Sequence, residues 1–145
     1  MNIYNYLKKD HRTVADLFDK ILSTKSSNKR QLLFQEVANE LLMHAETENA
    51  TFYSALKGHE ETAEIIEHAQ KEHAEVKKYI TKINSLSPES ETWLEQFGEF
   101  KHSVTHHVEE EENDIFEKAK KVLSSEQANQ LAKDMEALKN KLKAA

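Results

Sequence analysis

The chain has 145 residues, enough for one domain with one core. It is 32% charged with a net charge of −6, and it holds no cysteine, two glycines and one proline. These figures exclude disulfides, thiolate catalysis and iron–sulfur clusters, argue against a nucleic-acid partner, and suit long helices better than an all-β fold.

Turn-like stretches at 26–28, 57–60, 86–90 and 124–125 divide the chain into five predicted helices: 2–24, 28–57, 60–85, 89–122 and 125–143. Ser87 before Pro88 reads as an N-cap followed by proline at the first helical position. Ser124 to Gln127 fits a capping box, and Gly58 fits a C-cap. Each segment carries a stripe at three-and-four spacing, the mark of a helix with one buried face. The first stripe is Leu7, His11, Val14, Phe18, Ile21; the second is Phe34, Val37, Leu41, His44, Glu48, Phe52, Leu56. The third is Ile66, Ala69, His73, Val76, Ile80, Ile83. The fourth runs from Trp93 through Phe97, Phe100, Val104, His107, Glu111, Ile115 and Ala119 to Val122. The fifth has Leu131, Met135, Leu138 and Leu142, and no histidine. The expected architecture is all-α: an antiparallel up-down four-helix bundle over residues 1–122, with a C-terminal helix, 123–145, packed on the bundle or on a partner.

Four otherwise apolar stripes each hold a histidine near mid-helix, and two add a glutamate four residues later. Burying an unpaired carboxylate costs several kcal/mol, so a shared cation is the economical partner. The positions repeat. KDHRTV at 9–14 lies over KEHAEV at 71–76 at an offset of 62, and His44 and Glu48 lie over His107 and Glu111 at an offset of 63. Two copies of a helical hairpin would therefore bring His11, His44, Glu48, His73, His107 and Glu111 into one bundle core, where facing helices build di-metal sites. Residues i and i+4 lie one turn apart on one face. A histidine can thus bind one ion while the glutamate bridges to a second. Imidazole with carboxylate suits iron or manganese better than thiol-seeking metals.

The set His11, His44-x-x-x-Glu48, His73, His107-x-x-x-Glu111, with DHR at 10–12, HAETENATFY at 44–53 and HVEEEENDIF at 107–116, resembles the hemerythrin-like HHE cation-binding family over roughly residues 2–122. The resemblance implies two non-heme iron ions with an oxo or hydroxo bridge, with manganese or zinc as substitutes. The four histidines would be terminal ligands, and Glu48 and Glu111 would bridge. The implied function is binding, sensing or storage of dioxygen or nitric oxide. The alternative is a di-iron redox enzyme acting on peroxide or oxygen, or an iron donor in stress repair; a plain helical interaction module with structural metal is the third reading. Two departures from the oxygen-carrying hemerythrins stand out. Ala69 replaces their second third-helix histidine, and His107 and Glu111 replace their histidine and aspartate five apart. The missing histidine leaves room for another ligand or water and favours redox turnover or sensing. The bulky residues Phe18, Phe52, Phe100 and Ile115 suit a lining that protects bound dioxygen.

The remaining histidines read differently. His59 falls in a loop and His68 off the stripe, which places both at the surface. His102, His106 and Glu110 form an i, i+4, i+8 row able to make a secondary metal site, but the flanking Lys101, Thr105, Glu109 and Asn113 favour a solvated face. Glu109, Glu110 and Glu112 read as that face too, with Glu112 able to orient a ligand histidine. No apolar run reaches the roughly 20 residues that span a bilayer, and MNIYNYLKKDHR lacks a signal-peptide h-region. The expectation is a soluble cytoplasmic monomer or weak homo-oligomer, with no membrane or nucleic-acid partner and a small ligand such as dioxygen, nitric oxide or peroxide.

Overall fold

The structure, a computed structural model, describes residues 1–144. Helix α1 spans Ile3–Ser23 and α2 spans Ser27–Glu48. A π-helical turn, Asn49–Tyr53, leads without a break into α3, Ser54–Lys57. Helix α4 spans Glu60–Asn84 and α5 spans Glu91–Glu110. A second π turn, Glu111–Ile115, leads into α6, Phe116–Val122, and α7 spans Ser125–Ala144. No strand occurs among the described residues, and none of their helices is long and apolar enough to cross a membrane. The fold is the expected all-α bundle.

The helices start where the side chains can cap them. Asn2 accepts from the Asn5 N–H at 2.9 Å and Ser26 from the Lys29 N–H at 3.2 Å. The capping box at α7 forms: Ser124 Oγ accepts from the Gln127 N–H at 3.1 Å, and Gln127 Oε1 accepts from the Ser124 N–H at 2.8 Å. Gly58 is the C-cap of α3. The α5 start differs from expectation. Ser90, not Ser87, is the cap, accepting from the Trp93 N–H at 3.2 Å. Ser87 and Pro88 instead enter a turn closed by the Ser90 N–H on the Ser87 carbonyl at 3.0 Å. That turn spends the proline's fixed φ before the helix begins.

Helices α1 and α2 pack as one hairpin and α4 and α5 as the other, and α7 lies across α1 and α2. Every residue of the first four stripes is buried except Val122, which is half-buried. In α7 the buried row is Ala128, Ala132, Met135 and Lys139, while Leu131, Leu138 and Leu142 are half-buried. The predicted leucine stripe is thus the shoulder of that face. The apolar core is in two parts. One cluster gathers Phe18, Phe34, Trp93, Phe97 and Phe100 toward one end of the bundle. The other gathers Tyr4, Phe52, Tyr53, Phe116 and Met135 toward the end covered by α7. A polar layer lies between them.

Candidate metal centre

That layer contains all six of the predicted residues. His11, His44, His73 and His107 are 6–8% exposed, and Glu48 and Glu111 are 0% exposed. The imidazole pairs face each other across each hairpin, with ring centroids 5.3 Å apart for His11 and His44 and 4.8 Å for His73 and His107. The carboxylates span the pairs. Glu48 Oε1 lies 3.4 Å from His44 Nε2 and 3.1 Å from His73 Nε2. Glu111 reaches His11 Nε2 at 3.2 Å through one oxygen and His107 Nε2 at 3.7 Å through the other. Two groups of donor atoms result: His11, His44 and Glu111 in one, and Glu48, His73 and His107 in the other.

Each ring is held from behind. His44 Nδ1–H donates to Asp10 Oδ2 at 2.9 Å, and His107 Nδ1–H to Glu72 Oε1 at 2.8 Å. His11 Nδ1–H donates to Glu112 Oε2 at 2.7 Å, and His73 Nδ1–H to Asn49 Oδ1 at 3.0 Å. These bonds fix the tautomer that turns a lone pair on Nε2 inward, the arrangement metal-binding histidines use. The supports repeat with the hairpins: Asp10 and Glu72 are equivalent, as are Asn49 and Glu112. Glu112 therefore backs His11 rather than joining the solvated face. The chemistry of this donor set fits cations. Nε2 of His11, His44 and His73, both oxygens of Glu48 and Oε1 of Glu111 are buried without a hydrogen-bond partner. Buried polar atoms rarely stay unsatisfied, and these all aim at one another.

Protons are what the layer holds when no cation is present. Burial pushes the His44 imidazole down, but the Glu48 carboxylate and the Asp10 hydrogen bond outweigh it, raising its pKa from 6.5 to about 10. His107 is also raised: burial opposes the shift, and Glu72 and Glu111 overcome it. For Glu48, burial pushes upward while His44 and His73 hold the carboxyl well below its ordinary range.

Sequence periodicity also misses Tyr53, which is 0% exposed. Its phenol donates a hydrogen bond to Glu111 and lies 3.5 Å from His107 Nε2, and its ring stacks on His73 with centroids 5.3 Å apart. Burial and the facing carboxylates keep the phenol protonated well above its usual range. The π turn explains the omission. Residues five apart stack in a π turn, so Tyr53 follows Glu48 onto the inner face, where a 3.6-residue period puts only Phe52. The equivalent position in the second hairpin is Phe116.

The lining also differs from expectation. A cavity of about 30 Å³ next to the four histidines is walled by Val14, Leu41, Val76 and Val104, with Ala45 and Val108 at its edge. Phe18 and Phe100 belong to one apolar cluster and Phe52 and Ile115 to the other. Aromatic rings are thus the packing behind the layer, and one-turn geometry gives the walls to the residues three before each histidine on α2 and α5 and three after it on α1 and α4. Of the other histidines, His59 is half-buried at the head of α4, and His68, His102 and His106 are exposed.

A helical bundle with a buried histidine–carboxylate layer defines a cation-binding protein. The chain belongs to the hemerythrin HHE cation-binding domain family, whose model matches residues 2–119. A solved structure, that of a hemerythrin HHE cation binding domain-containing protein from Mycobacterium kansasii (a homolog of Rv2633c), superposes with a TM-score of 0.85 at 25% identity, covering 97% of this chain and 86% of that one. A DNA nickase from Nostoc sp. is 29% identical over 145 residues, covering 98% of this chain. The chain spans 40% of that relative's length.

Proposed function

We propose that this chain holds two non-heme iron ions between its hairpins and uses them to bind dioxygen or a related small molecule such as nitric oxide. The observation that carries the reading is the inward set of Nε2 and carboxylate atoms, six of them orphaned without a cation, with each histidine locked from behind. His11, His44, His73 and His107 would be terminal ligands, with Glu48 and Glu111 bridging. An iron pair, when bound, supplies reversible electron exchange with a diatomic ligand. The protein's own part is positional. Val14, Leu41, Val76 and Val104 wall a mostly apolar space beside the histidines that admits only a ligand of a few atoms. The nickase activity belongs to a relative of which this chain spans 40%, and the net charge of −6 supports no transfer of it. Metal analysis and spectroscopy test the reading. About two irons per chain are expected, with a visible band that appears when the reduced protein meets dioxygen and fades when the gas is removed. Zinc in place of iron, or no gas-dependent band, would overturn it.

Tyr53 favours a second reading, turnover of peroxide or oxygen. Its phenol hydrogen bonds to the carboxylate that would bridge the ions, so a proton is held at the point where an oxygen atom would need one. If this reading holds, Tyr53→Phe keeps its iron but consumes peroxide about 100-fold more slowly, the scale of lost general acid catalysis. Equal consumption by both proteins would leave binding as the function.

A further inference from the structure

A second histidine–glutamate layer lies outside the core. His68 and Glu72 are one turn apart on α4, and His106 and Glu110 are one turn apart on α5. The packing of α4 on α5 sets the two pairs against each other. His68 Nε2 lies 3.6 Å from Glu72 Oε2 and 3.9 Å from Glu110 Oε2, and His106 Nε2 lies 2.9 Å from Glu110 Oε1. Donor atoms of His68, Glu72 and Glu110 all lie within 4.8 Å of one another. A tetrahedral ion with bonds of about 2.0–2.2 Å spaces its ligands roughly 3.4 Å apart, so these three need only small side-chain adjustments, and the exposed His106 ring, in reach of Glu110 but outside the group of three, would swing in as the fourth. His102 is not part of it; that side chain lines a neighbouring open cleft with Tyr79 and Glu99.

The repeat supplies an independent argument. The equivalents of Glu72 and Glu110 in the first hairpin are Asp10 and Thr47, and those of His68 and His106 are Tyr6 and Met43. At that corner a cation is already present. Lys139 of α7 reaches in, pairs with Asp10 and lies 4.8 Å above the Tyr6 ring, while the Tyr6 hydroxyl donates to Glu136 at 2.5 Å. Asp10 thereby backs His44 while its charge is met by an ammonium group. Glu72 backs His107 in the same way, but its corner has two carboxylates and no lysine in an ion pair with them. In place of the lysine stand two exposed imidazoles.

We propose that this corner is a second cation site, in which His68, Glu72, His106 and Glu110 bind a divalent transition metal of the zinc class. Two imidazoles and two carboxylates make a complete tetrahedral set for such an ion. The dication does for Glu72 and Glu110 what Lys139 does for Asp10. Glu72 then joins the two sites: one oxygen accepts from His107 and the other faces the outer ion. The proposal is independent of which metal the core holds.

Calorimetric titration of the full chain, core metal in place, with zinc chloride tests it, with core metal content measured before and after. One zinc equivalent beyond the core complement is expected. The His68→Ala/His106→Ala double variant should bind that zinc at least about tenfold more weakly and keep its core metal, and His102→Ala should match the parent. Absence of the extra equivalent, undiminished binding by the double variant, or zinc uptake matched by release of core metal would each overturn the proposal.

Discussion

Replacing His107 by alanine is expected to cost the core its metal, while replacing His106 leaves the core complement unchanged. The two residues are neighbours in sequence and differ by about 100° around α5. His107 is buried, with Nδ1 on Glu72 and Nε2 toward Glu111; the His106 side chain is 57% exposed. Without the His107 ring, the group shared with Glu48 and His73 keeps one imidazole, and Glu72 loses the hydrogen bond that orders it. Losing a mere supporting partner of a ligand costs about 10–100-fold in affinity, so losing the ligand itself should cost at least about 100-fold. Metal content of the two purified variants, with circular dichroism to check the helices, gives the answer. Retention of core metal by His107→Ala together with its loss from His106→Ala would reverse the assignment of the inner face.

The metal-free and metal-loaded proteins should respond to pH in opposite directions. In the metal-free chain the folded state grips the His44 proton more tightly than the unfolded chain does, with the pKa raised from 6.5 to about 10. The stability this adds is fully present below pH 6.5 and is lost as pH rises toward 10. His107 acts in the same sense. Glu48, held well below its ordinary 4.5, adds stability above that pH that is lost on further acidification. Metal-free protein should therefore be most stable between about pH 4.5 and 6.5 and lose on the order of a few kcal/mol by pH 10. Bound ions must displace those same protons, so metal affinity, and the stability it confers, rises with pH. Calorimetric melting of both forms between pH 5.5 and 8.5 should give a gap in Tm that widens with pH. Parallel curves would mean that protons and metal do not compete for the layer.

The inner six residues were legible in the sequence because duplication wrote the same signal twice. His44 and Glu48 fall on an apolar stripe, and His107 and Glu111 fall on an equivalent stripe 63 residues later. What lies behind and beside them was less legible, for physical reasons. Asp10, Glu72, Glu112 and Asn49 each sit next to a core position and reach a histidine on another helix, a contact that no single-helix period encodes. Tyr53 was hidden by the π turn, which changes the period within one turn. Lys139 carries no signal of its own in the sequence, yet it is 7% exposed, with its ammonium group over the Tyr6 ring and paired with Asp10. His68 stands alone in sequence and gains meaning only when α4 meets α5.

Duplication also leaves a difference between the two halves of the layer. Behind the His11 and His44 pair stand two carboxylates, Glu112 and Asp10; behind the His73 and His107 pair stand one carboxylate and the neutral amide of Asn49. A carboxylate makes the imidazole it supports a stronger electron donor. Two groups act against that difference: Lys139 meets the charge of Asp10, and the Tyr53 phenol, whose ring stacks on His73, donates to Glu111, which groups with His11 and His44. Two ions seated here would therefore meet different surroundings. They would be expected to fill in sequence rather than together, which a stepwise metal titration would show.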